Sequence, residues 1–197
     1  MKDILKTGII LLVICAIAAL GLGLTNEVTK APIAEQRFLA NEQAKKEVFP
    51  DAASFTDITG ANLESITSQF EPVTEAYLGL DASGKTIGYI FKSTPSGFSG
   101  SVEVVTGISV EGTVTGLRVG SHNETPGLGA KAKDADFYEQ YAGKSAAELI
   151  GVSKTSADGN DIQAITGATI SSAAITSGAN ASIEAFKWII ENGGLGN

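Results

Sequence analysis

The chain has 197 residues, 43% of them apolar, which is enough for one folded domain and an apolar extension. Its formal net charge of −8 excludes a nucleic-acid partner, because such a partner requires a cationic footprint. With one cysteine, Cys15, and one histidine, His122, an internal disulfide, a cysteine-held cluster and a multi-histidine metal centre are excluded; redox chemistry would fall to an organic cofactor or a partner.

Residues 7–26 carry no charged side chain. At 1.5 Å per residue, about 20 residues span roughly 30 Å, the thickness of a bilayer core. Lys2 and Lys6 precede the run, and Glu27 and Lys30 follow it. The basic excess in front predicts that residues 1–6 are cytoplasmic, that 7–26 form a span held by membrane lipid, and that the rest of the chain is on the extracytoplasmic side. The run is long for a cleaved signal peptide, and no small-x-small site closes it. Ile14, before Cys15, is not the small residue that a lipoprotein cleavage site requires.

Pro32 then opens a polar helical pattern over 33–49, which Pro50 ends. Residues 27–50 read as a stalk or as a first helix, and residues 51–197 as the domain. Residues 51–71 are mixed, with turn residues at Asp57 and Gly60. Residues 75–80 and 86–92 flank the turn 81–85 and predict a hairpin. A glycine- and serine-rich loop follows over 94–100. Residues 101–108 and 113–119 alternate in polarity around a turn at 110–112. Two hairpins in series predict an antiparallel sheet.

Residues 120–131, GSHNETPGLGAK, form a loop with three glycines and a proline. Such a loop brings backbone close to a ligand, or is a plain surface turn. Short helices are predicted over 134–141 and 145–150, capped by Asp134 and Ser145. Residues 151–163 are polar and turn-rich. From Ile175 onward, Gly178, Ala179, Ser182, Ile183, Phe186, Ile189 and Ile190 fill an arc of about 140° on a helix over 170–191. Trp188 points away from that arc, as a half-covered surface aromatic or as a contact for a partner.

Immediately before this helix lies Ala164-Ile-Thr-Gly-Ala-Thr-Ile-Ser-Ser172. Thr169 stands at a helix start beside two small residues, Gly167 and Ala168. A helix N-terminus presents unpaired N–H groups and a partial positive charge, which suit a phosphate. Read from spacing alone, the stretch is equally an ordinary loop and cap.

Glu124-Thr-Pro-Gly-Leu-Gly129 and Thr166-Gly-Ala-Thr169, in this order behind an apolar run, resemble the FMN-binding domain family. Within it they are similar to the G subunits of Rnf electron-transport complexes, relatives of the C subunits of sodium-pumping NADH:quinone reductases. The loop 97–100 fits the same pattern. The resemblance implies an α+β fold in which an N-terminal transmembrane helix precedes one FMN-binding domain with an antiparallel sheet and flanking helices. It implies covalent FMN, joined by a flavin transferase through a phosphoester to Thr169. Around it would stand Thr166, Gly167, Ala168, Ile170, Ser171, Glu124, Thr125, Gly127, Leu128 and Gly129. It further implies an electron-carrier subunit of a ferredoxin:NAD oxidoreductase complex that moves ions, working with the other membrane subunits rather than as a complete enzyme. No acid–base pair or nucleophile triad is evident, and none is required. Gln163 departs from the family pattern, which places an acid three residues before the motif. Three alternatives remain: the equivalent quinone-reductase subunit, a stand-alone extracytoplasmic flavoprotein, and a pilin-like structural protein.

Overall fold

The apolar run lies in one long helix, α1 (Lys2–Val48), in a computed structural model that describes residues 2–193. Among the described residues it is the one helix long and apolar enough to cross a bilayer. Side chains such as Ile10, Leu12, Ile14 and Leu20 are exposed on it, as on a helix built for an apolar surrounding. The Thr7 and Thr25 hydroxyls donate to the carbonyls of Asp3 and Gly21 at 3.0 and 2.8 Å, so these polar groups are satisfied within the helix. The sequence pattern separates a span from a second helix that starts near Pro32. In the structure residues 27–31 are helical as well, and Pro32 is interior. A proline there removes the bond to the Val28 carbonyl and crowds that carbonyl with its ring.

The chain divides into two units, Met1–Asn41 and Glu42–Asn197. The second contains a five-stranded antiparallel meander: β1 (Ser54–Asp57), β2 (Val73–Leu80), β3 (Thr86–Ser93), β4 (Val104–Ser109) and β5 (Val114–Val119), adjacent in that order. The predicted hairpins are β2–β3 and β4–β5. The mixed stretch 51–71 holds β1 and a helix, α2 (Ala61–Gln69).

Alternation along β3 and β4 sends Tyr89, Phe91, Val104 and Ile108 into the main core. The long C-terminal helix, α4 (Thr169–Glu191), covers that face with Ile175, Ala179, Ile183 and Phe186. The opposite face is covered too. Ile90 and Val105 there meet Val48 and Phe49, from the end of α1 and just beyond it. Gly88, Gly107 and Gly116 make this approach possible. A Cβ on Gly107 would lie 2.7 Å from the Val48 carbonyl oxygen, and one on Gly116 3.1 Å from Val48 Cα. One on Gly88 would enter the Phe49 ring.

The short helix predicted over 134–141 is present as α3 (Ala135–Tyr138), continued by the 3-10 turn Glu139–Tyr141 and preceded by the 3-10 turn Gly129–Lys133. Two finer expectations are corrected. Asp134 makes no side-chain cap bond. Residues 145–150 are not helical, because distant acceptors take their N–H groups. Ser145 donates to Asn160 Oδ1 at 2.9 Å, Ala146 to the Gly112 carbonyl at 2.8 Å, and Ile150 to Asn180 Oδ1 at 2.8 Å. Within the turn-rich stretch, β6 (Val152–Ser153) and β7 (Ile162–Gln163) pair in parallel and deliver the chain to residue 164. Trp188 is half-buried and meets Phe70 edge-on at 6.2 Å.

Candidate functional site

Two glycine turns face each other at the start of α4. In the first, the Leu128 N–H donates to the Thr125 carbonyl at 3.1 Å around Pro126 and Gly127, which has φ 77°. In the second, the Ala168 N–H donates to the Ile165 carbonyl at 2.9 Å around Thr166 and Gly167, which has φ 79°. Both show the bond and the positive-φ glycine of a type II turn. A Cβ on Gly167 would come within 3.2 Å of Leu128 Cδ2, so the first turn rests directly on the second.

Between the turns is a pocket of about 320 Å³, lined by Phe98, Glu124, Thr125, Leu128, Gly129 and residues 167–171. Phe98, Leu128 and Ile170 form an exposed apolar rim. Thr169 opens α4, with Ala168 in the cap position. The first backbone bond of the helix runs from the Ser172 N–H to the Ala168 carbonyl at 3.0 Å. The N–H groups of Thr169, Ile170 and Ser171 precede it and are the unpaired donors of a helix start. Among the described residues the Thr169 hydroxyl has no hydrogen-bond partner.

Glu124 is only 5% exposed at the back of this pocket. Its Oε2 accepts the Ser171 hydroxyl at 2.5 Å, and its Oε1 accepts the Ser99 N–H at 3.0 Å. Burial pushes its carboxyl up. The bonds from Ser171, Ser99 and the Phe98 N–H outweigh that, with help from His122, and hold it below the usual carboxylate range. His122 Nδ1 accepts the Glu124 N–H at 3.2 Å. Burial and the nearby Lys133 charge lower the imidazole pKa, while Glu124 opposes them.

Of the residues singled out in the sequence, the structure brings Glu124, Thr125, Leu128, Gly129, Gly167, Ala168, Thr169, Ile170 and Ser171 together. Thr166 and Gly127 do not line this pocket. Thr166 faces a more polar cavity on the far side of its turn, together with Gln163, Lys131 and Asp136. Gly127 shapes its loop. Phe98 belongs to the loop 97–100 that fits the family pattern but was not among the site residues named from the sequence, and it lines the pocket. Ser172 holds the second turn in place, and nothing in its spacing marks that role.

The site thus combines an open hydroxyl at a helix start, free N–H groups, an apolar rim and a floor of small residues. That set fits a planar aromatic cofactor with a phosphate tail. The family model for the FMN-binding domain matches residues 97–184, which contain both turns and all of β4, β5 and the pocket. The class so defined is an FMN-binding domain protein. The model for the RnfG N-terminal region matches residues 1–48. The chain is 45% identical to the G subunit of the Na(+)-translocating ferredoxin:NAD(+) oxidoreductase complex of Acetobacterium woodii, covering 94% of this chain and 93% of that one. It is 33% identical to the G subunit of the ion-translocating oxidoreductase complex of Methanosarcina acetivorans, covering 93% and 94%. The chain belongs to the family of G subunits of ion-translocating oxidoreductase complexes of the Rnf type. Its fold is shared with the crystal structure of Shewanella oneidensis NqrC, at 15% identity and TM-score 0.54, over 75% of this chain and 88% of that chain.

Proposed function

We propose that the chain carries FMN as a phosphoester on Thr169 and relays electrons within an Rnf-type complex. In that complex, transfer between ferredoxin and NAD is coupled to ion movement. The observation that carries this reading is the unpartnered Thr169 hydroxyl, at the mouth of a pocket that starts a helix. FMN, when bound, supplies the electron chemistry. The chain's own residues place it. The N–H groups at the start of α4 would receive the phosphate, and Phe98, Leu128 and Ile170 would offer the ring an apolar surface. Thr166, Gly167 and Ala168 form the turn that presents the acceptor, and Thr125, Gly127 and Gly129 shape the facing wall. A flavin transferase makes the bond, and the exposure of Thr166 and Gly167 leaves it access. Covalent attachment suits a carrier outside the membrane, where a dissociable cofactor would be lost.

On the same reading, residues 7–26 anchor the chain in lipid, residues 1–6 are cytoplasmic, and the FMN-binding domain expected at 51–197 also takes in the end of α1, from Glu42 onward. Protease added to intact cells then reaches that domain; complete protection would reverse the orientation. The test of attachment is intact mass after coexpression with a flavin transferase. The expected result is one added FMN moiety, localised to the peptide containing Thr169 and lost in Thr169→Val. FMN that survives denaturation in the variant would move the acceptor to Thr166, Ser171 or Ser172.

A further inference from the structure

The pocket carries more than an acceptor. It carries a buried negative charge that the surrounding fold is shaped to keep. Two glycines leave room for the Glu124 carboxylate. A Cβ on Gly129 would lie 2.5 Å from Glu124 Oε2 and 2.5 Å from Ser171 Oγ, and one on Gly97 would collide with Oε1. Donors from two elements converge on the carboxylate: the Ser171 hydroxyl from α4 and the Ser99 N–H from the loop 97–100 bond it, and the Phe98 N–H of the same loop favours its ionised form. None of them is a cation. Among the titratable groups, His122 is the one that acts on Glu124. Its Nδ1 accepts the Glu124 N–H, and its protonated form is itself disfavoured. Lys133 bears on His122. The carboxylate is therefore held ionised chiefly by neutral donors, and among the described residues it makes no salt bridge.

A staple between a loop and a helix does not require a charge, since an amide would join the same groups. An uncancelled charge in a pocket of low polarity acts over several ångströms on whatever occupies it. Its effect has one sign: it opposes the arrival of further negative charge. Resting on the reading that FMN occupies this pocket, we infer that the charge of Glu124 holds the reduction potential of the FMN down. Adding an electron to the ring next to an ionised carboxylate is less favourable than adding it next to a neutral group. Glu124 is in this sense a tuning residue, and Ser171 is a positioning residue that keeps it ionised.

The experiment is spectroelectrochemical titration of the FMN-loaded full chain, as parent, Glu124→Gln and Glu124→Asp, with loading checked by intact mass. Glutamine keeps the shape and can still join the Ser99 N–H to the Ser171 hydroxyl, while the charge is lost. The expected result is a midpoint potential shifted upward in Glu124→Gln and close to the parent in Glu124→Asp. An unchanged midpoint in Glu124→Gln, or an equal upward shift in both variants, overturns the inference. Should Glu124→Gln fail to load, Ser171→Ala replaces it. With one donor removed, the carboxylate takes up its proton at higher pH, so the pH dependence of the midpoint should extend to higher pH than in the parent. A superimposable profile overturns the inference. If the parent itself carries no FMN, the functional reading fails and this inference falls with it. If the parent is loaded and its midpoint is indifferent to Glu124, only this inference fails.

Discussion

The Ser172 hydroxyl, fully buried on α4, accepts the Ile165 N–H at 3.0 Å and donates to the Ala168 carbonyl at 3.0 Å. One side chain thus ties both ends of the second glycine turn to the helix that follows it. Behind it the Tyr141 hydroxyl meets Thr176 Oγ1 at 2.7 Å, and Thr176 donates to the Ser172 carbonyl at 3.0 Å. Ser172→Ala leaves the Ile165 N–H without its partner, at an expected cost of about 1–3 kcal/mol. Urea unfolding of the full chain in detergent measures that cost. FMN attachment should slow as well, because the turn that presents Thr169 is no longer held. Unaltered stability together with unaltered attachment would place the constraint elsewhere.

Gly167→Ala tests the turn itself. An L-residue at φ 79° is strained by roughly 1–2 kcal/mol. The new Cβ also meets Leu128 Cδ2 at 3.2 Å. The strain belongs to the backbone and the contact belongs to Leu128. In a Leu128→Ala background, part of the penalty of Gly167→Ala should therefore disappear and part should remain. A double-mutant cycle on unfolding free energies separates the two.

Gly107→Ala tests the second face of the sheet. Its Cβ would meet Thr115 Oγ1 at 2.5 Å and the Val48 carbonyl oxygen at 2.7 Å, and the latter is backbone that cannot rotate away. The expected destabilisation is about 1–3 kcal/mol, as for overpacking elsewhere. Gly116→Ala, with its closest approach at 3.1 Å, should cost less. Thermal unfolding of the two variants side by side gives the ranking, and equal midpoints would contradict the close approach.

Acid should destabilise the domain in two stages. The folded state lowers the pKa of His122, chiefly by burial, and so favours the neutral ring. That stabilisation is complete above the ordinary histidine pKa of about 6.5, and is lost as pH falls through the lower folded value. Glu124 and Glu47 are lowered as well; hydrogen bonds from Gln43 and Arg118 act on Glu47. Their contribution is present above the ordinary glutamate pKa of about 4.3, and is lost as pH falls through their folded values. Unfolding free energy followed from pH 8 to 3 should decline in both windows. His122→Gln should remove the upper step and Glu124→Gln part of the lower. A step that persists unchanged in its variant would assign it to another group.

Much of the fold was legible in residue order. The turn at 81–85 marked β2 and β3, and alternation in polarity marked β4 and β5. Periodicity of 3.6 marked α4, and the charge-free run marked the apolar part of α1. Strand β1 was hidden because four mostly exposed residues carry no alternation. The helix expected over 145–150 failed because its donors bond to Asn160, Gly112 and Asn180, partners that local pattern does not reveal.

Residue order is sufficient for the shape of the loop that leads into α4. Gly127 and Gly167 occupy positive-φ corners that few other residues tolerate, and Thr169 follows the second of them at a helix start. Those are local requirements of the backbone, and local requirements are written in adjacent residues. The surroundings of that threonine come from tertiary packing. Packing brings Phe98 into the pocket, sets Leu128 on Gly167, and buries the Glu124 charge between Ser99 and Ser171. It also closes the second face of the sheet with Val48 and Phe49. These relationships join residues far apart in the chain, and their geometry follows from how β4, β5 and α4 pack.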